Sequence, residues 1–231
     1  MSTALWEKVP HHAAYRTTRQ TLRELFTAHP GAPGLGVPAC PDWRMVDILN
    51  HLVSVNRRMV HGTEIPLWEI PSEPSGRRVD ELFADWATLD EGTRKRLEEP
   101  YKLQHSILVM DAFSHEVDIR NVLGEPVPAD HPSYPIALDL LTLGLGLSVR
   151  SHGLPALRLE TDGASWVSGD GEPAGTVRGH RHDLLRMLTG RRTLEQIYAL
   201  DWKGEPATWS AAFTWGPFQV PEAATESPFA G

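Results

Sequence analysis

The chain has 231 residues, of which 22 are Lys or Arg and 30 are Asp or Glu, a formal charge of -8; no basic run is long enough to follow a phosphate backbone, so nucleic acid is not an expected partner. Its 41% hydrophobic content is ample for a packed core in one large or two small domains. No apolar run approaches the roughly 18 residues of a membrane span, Met1 to Lys8 lacks the basic-then-apolar profile of a secretory signal, and the single Cys40 can form no internal disulfide, so a cytoplasmic, reducing compartment is expected.

Val9 to Ala28 reads as a first helix, because Ala13, Ala14, Thr17, Leu22, Leu25 and Phe26 recur at helical intervals; Pro30 to Gly34 ends it. A loop continues to Asp42, the expected N-cap of a second helix reaching about Val60, with Ile48, Leu52, Val55 and Met59 inward. Pro66 to Gly76 is a loop rich in Pro, Ser and Glu. Val79 to Leu97 is the third helix, with Leu82, Phe83, Trp86, Leu89 and Leu97 inward, and Gln104 to Leu123 the fourth, stopped by Gly124 and Pro126. Four such helices predict an antiparallel four-helix bundle. A fifth, apolar helix runs from Pro135 to Gly153.

After Gly153 the period changes. Leu157 to Thr161 alternates, Asp162-Gly163 turns, and Ser165 to Ser168 follows, a hairpin signature. Thr176 to Arg178 adds a third strand, and His180 to Leu188 a helix closed by Gly190. The expected class is α+β: a helical bundle over residues 1–153 and a small α+β unit over residues 154–231.

The chemistry gathers on the fourth helix. Asp111 and His115 stand four residues apart, so both leave the same face one turn apart and can close on one ion. His115 also falls in the apolar stripe of Leu108, Ala112, Ile119 and Val122. A buried carboxylate beside a buried imidazole needs compensation, and a metal ion supplies it. His51, on the face of Asp47 and Val55, completes a His/His/carboxylate set. The ordinary alternative for His51 is a core histidine held by a hydrogen bond.

Asp118 either orients His115 from behind or bonds Arg120 or the backbone. Arg57 and Arg58 either meet an acidic cofactor or substrate or complement their helix C-terminus. His11, His12, His61 and His105 have no partner at ligand spacing, and the His180/His182 pair has no acid cluster beside it. Cys40 is not expected to be a nucleophile, since no neighbour in sequence offers a base. Trp43 is expected to pack at the start of the His51 helix.

The run Cys40-Pro41-Asp42-Trp43-Arg44-Met45-Val46-Asp47-Ile48-Leu49-Asn50-His51-Leu52 resembles the Cys-Pro-x-Trp, x-Asp-Leu-x-x-His-Leu signature of the mycothiol-dependent maleylpyruvate isomerase family, within the DinB-like superfamily. Asp111 to Leu123 with Gly124-Glu125-Pro126 resembles its second motif: an acid, a histidine four later, an aspartate three beyond, then Leu-Gly-x-Pro. The C-terminal part matches more loosely, through Val177-Arg178-Gly179, Asp183-Leu184-Leu185 and Gly190-Arg191-Arg192. The isomerases tend to carry Glu where this chain has Asp111, so the shorter carboxylate must reach from closer in.

The resemblance implies a DinB-like bundle with a divalent metal, usually zinc, held by His51, Asp111 and His115. It also implies mycothiol as co-substrate, added to or transferred onto an electrophilic small molecule, and an arginine of the C-terminal part, Arg186 or Arg191, near the substrate. A homodimer is within its range. Three protein ligands leave a coordination position open, where a thiol would be held as thiolate. Water in that position would instead support a hydrolase or lyase. A non-catalytic binding or resistance protein on the same bundle is the rival from another class.

Overall fold

The computed structural model describes residues 10–62 and 76–228. The loop expected over Pro66 to Gly76 lies, apart from Gly76, outside the described residues, as does the stretch Met1 to Lys8. Helix and sheet are mixed, as the α+β class requires. By compactness the chain divides into Val9–Ile136 and a unit that includes Ala137–Gly231. The division falls inside the helix Ser133–Ser151.

In the first unit, α1 (His11–Ala28) buries Ala14, Tyr15, Thr18, Leu22, Leu25 and Phe26, the three-and-four spacing of one face. That face packs on α5 (Leu103–Leu123). The segment read as a loop before the second helix instead forms a small hairpin, β1 (Gly36–Val37) against β2 (Cys40–Arg44). Asp42 is exposed within β2 and caps nothing. Helix α2 (Met45–His61) starts from Arg44, whose extended backbone leaves the first turn's donors open; the Asp47 carboxylate reaches back to the Arg44 backbone N–H at 2.9 Å and accepts its guanidinium Nε at 2.9 Å.

The expected third helix is two helices, α3 (Val79–Thr88) and α4 (Asp90–Glu98), meeting at Leu89. At the break Thr88 Oγ1 donates to the Asp85 carbonyl, and Asp90 is held in an ion pair with the distant Arg19 of α1. Among the described residues the first unit therefore holds five complete α-helices. The inward side chains Leu82, Phe83, Trp86, Leu89 and Leu97 are buried as the pattern required.

Helix α5 is buried over most of its circumference, His105, Ser114, His115, Glu116, Asp118 and Arg120 included. It ends where Gly124 adopts φ 70°, and the Glu125 N–H returns to the Arg120 carbonyl at 2.9 Å. No helix of the described residues is long and apolar enough to cross a membrane.

In the second unit a sheet runs in the order β4-β3-β5-β6, built from β3 (Leu157–Thr161), β4 (Ala164–Ser168), β5 (Gly175–Arg178) and β6 (Asp201–Lys203). Strands β3 and β4 form the expected hairpin around Gly163 at φ 78°, and β5 joins β3 in parallel. Leu157, Leu159, Ala164, Trp166 and Val177 alternate inward. Helix α6 (Ser133–Ser151) is tied to β4 by Trp166 Nε1 donating to Asp139 Oδ1 at 2.7 Å and Ser168 Oγ donating to the Thr142 carbonyl at 2.8 Å. Helix α7 (Arg181–Leu188) is capped by the His180 ring, which accepts the His182 N–H. Helix α8 (Leu194–Tyr198) and β6 were not legible, being too short to show a period.

A polar cluster lies under α7. The Arg186 guanidinium, fully buried, grips Glu226 with two 2.7 Å bonds; Arg192 also donates to Glu226, and reaches Asp183 Oδ1 at 2.9 Å. Burial, reinforced by the Arg186 charge, pushes the neighbouring His182 down from 6.5 to about 4. Between those values the unfolded chain binds a proton that the native unit refuses, so this contribution is complete above pH 6.5 and fades as pH falls toward 4. His182→Gln should flatten the decline by up to about 3 kcal/mol, read as the difference in denaturation midpoints of the two proteins from pH 7 to pH 4.

Candidate metal centre

The three expected ligands converge within the first unit. His51 comes from the middle of α2, and Asp111 and His115 from successive turns of α5. Asp111 Oδ1 lies 3.5 Å from His51 Nε2 and 3.8 Å from His115 Nε2. The two imidazole rings stand 5.2 Å apart and cross at 76°. One donor atom from each residue falls within 4.8 Å of the others. Both histidines are buried, and Asp111 is the more open member, its side chain 24% exposed.

Packing explains why the rings hold their positions. Trp43, delivered by the β1–β2 hairpin, lies 5.0 Å from the His51 ring and 5.8 Å from the His115 ring. Behind His115, Asp118 Oδ2 sits 3.0 Å from Nδ1, and the Asp118 side chain is fully buried. This contact is the one expected of an Asp118 that orients His115 from behind. A proton on Nδ1 leaves Nε2 as the lone-pair nitrogen facing Asp111 and His51.

Two imidazole nitrogens and a carboxylate oxygen are a donor set that zinc and similar divalent ions accept. The charges agree: Asp111 and Asp118 bring two carboxylates to two imidazoles, so a divalent cation balances them. The residues present therefore fit a divalent ion.

Sequence reasoning missed one neighbour. Cys40 Sγ lies 3.8 Å from Asp118 Oδ2, and Cys40, His115 and Asp118 also offer donor atoms within 4.8 Å of one another. No base stands near Cys40 in sequence, because its partners are on a helix far along the chain. The motif that places Cys40 and Trp43 just ahead of the His51 helix carried the only signal.

Arg57 pairs with Asp85 at 2.7 Å, and Arg58 Nη1 is buried with no hydrogen-bond partner among the described residues. Arg186 and Arg191 belong to the second unit, the first holding Glu226 and the second donating to the Thr189 carbonyl at 2.6 Å. His180 and His182 belong to neither of the groups of metal-ligating type found among the described residues.

No protein-family model and no curated protein matches the chain. Among solved structures, it is similar to the mycothiol-dependent maleylpyruvate isomerase, with a TM-score of 0.45 and 16% identity over 78% of this chain and 88% of that one. A histidine-to-alanine mutant of the isomerase gives a TM-score of 0.44 and 15% identity over the same shares.

Asp118→Asn should leave the far-ultraviolet circular dichroism intact while weakening divalent metal affinity by about 10- to 100-fold, measured by competition with a chromophoric chelator. Unchanged affinity would deny Asp118 its hold on the His115 ring.

Proposed function

We propose that this chain is a metal-dependent enzyme that presents a low-molecular-weight thiol, mycothiol by its motif resemblance, to an electrophilic small metabolite for S-transfer or isomerisation. His51, Asp111 and His115 hold the ion, and zinc is the ion their donor set favours. The observation that carries this reading is the convergence of these three side chains from two helices onto one point. When bound, such an ion stabilises a thiolate over a thiol near neutral pH and so supplies a nucleophile.

The remaining roles belong to the protein. Asp118 holds the His115 proton on Nδ1 and keeps the ring from turning. Trp43 covers the two imidazoles with an apolar face and limits water there. Asp111, more open than the histidines, marks the side from which a small molecule reaches the centre.

The native protein should carry about one equivalent of divalent metal, and Cys40→Ser/His51→Ala should bind it at least tenfold more weakly than Cys40→Ser, by elemental analysis and chelator competition. Equal content in the two variants removes the basis of the proposal. Thiol titration of the metal-loaded protein, followed through the ultraviolet absorbance of the thiolate, should then show saturable binding. Metal without thiol binding would favour a hydrolase or lyase on the same centre.

A further inference from the structure

The His115 ring has a carboxylate at each nitrogen: Asp111 Oδ1 at 3.8 Å from Nε2 and Asp118 Oδ2 at 3.0 Å from Nδ1. In the function proposed above the ion meets only Nε2, while Asp118 orients the ring through Nδ1. On the Nδ1 side stands Cys40, its Sγ 3.8 Å from Asp118 Oδ2. The β1–β2 pairing of Val37 with Cys40 fixes that sulfur at the entrance of the hairpin, and Asp118 is fully buried beneath it.

Donor atoms around a tetrahedral ion with bonds of about 2.0–2.3 Å lie roughly 3.3–3.8 Å apart. The separations of 3.0 Å and 3.8 Å already approach this arrangement, and the third, from Cys40 to the His115 ring, is within 4.8 Å, so closing on an ion calls for adjustment of side chains already gathered at one point.

We propose that Cys40, Asp118 and His115 form a second cation seat, selective for thiophilic divalent ions, which competes with the first seat for the His115 ring. Thiolate is the softest donor in either set, so cobalt, zinc or cadmium is favoured there over magnesium or calcium. Occupation exchanges the roles of the two carboxylates. The ion takes the Nδ1 lone pair and an Asp118 oxygen, His115 carries its proton on Nε2, and Asp111 becomes the group facing that proton. A metal–sulfur bond forms as the Cys40 S–H bond breaks, and its proton passes to solvent. Both seats cannot be filled through a neutral ring, since one imidazole would then need two lone pairs.

The competition rests on the His51, Asp111 and His115 reading; the seat itself does not. Cobalt(II) separates them, because thiolate ligation gives a near-ultraviolet charge-transfer band and tetrahedral sites give visible bands. Wild-type protein titrated with cobalt(II) should develop both. Cys40→Ser should lose the charge-transfer band and keep visible bands from the first seat, while His51→Ala should keep the charge-transfer band at equal or greater amplitude. No such band in wild type at saturating cobalt, or one that survives in Cys40→Ser, overturns the second seat. A band that disappears in His51→Ala also overturns it, by placing Cys40 in the first. Visible bands missing from Cys40→Ser would instead count against the first seat.

Discussion

Ionised side chains on α5 are buried, and the first unit is arranged to compensate them. Removing a carboxylate from water costs several kcal/mol unless a cation or donors meet it. Glu116 accepts the Arg120 Nε at 2.8 Å and faces His131 Nε2 at 3.2 Å. Arg120 in turn donates to the Pro126 carbonyl at 2.6 Å, holding the chain where it leaves the helix. Asp118 meets His115 and Cys40, and Asp111 meets His51. The placement of α2 and the β1–β2 hairpin against α5 brings His51 and Cys40 to the acids and Trp43 to the imidazoles.

Two polar clusters show how charge balance separates a structural group from a reactive one. Under α7, the Arg186 and Arg192 guanidiniums face the Glu226 and Asp183 carboxylates, two permanent positive charges against two negative. On α5, Asp111 and Asp118 face imidazoles, which carry charge only when protonated. That set can bind protons or a divalent ion, and its partners are therefore exchangeable. The same difference explains why His182, next to the α7 cluster, is held neutral by burial and by Arg186.

The sequence by itself determined the helices whose apolar positions recur every three or four residues, the Asp162-Gly163 hairpin, and the pairing of Asp111 with His115 on one helical face. Each of these rests on local geometry: a helical turn or a two-residue loop brings the groups together whatever the rest of the chain does. Asp42 and the continuous third helix were misplaced because their outcome depended on distant groups, Leu35 accepting the Met45 N–H at 2.9 Å and Arg19 drawing Asp90 aside. Only the tertiary structure decided that His51 joins the α5 pair, that Trp43 stands beside both imidazoles, and that Cys40 stands at Asp118. The reason is physical: α2, α5 and the hairpin meet through packed side chains and compensated charges, and no periodicity within any one of them encodes the distance to another.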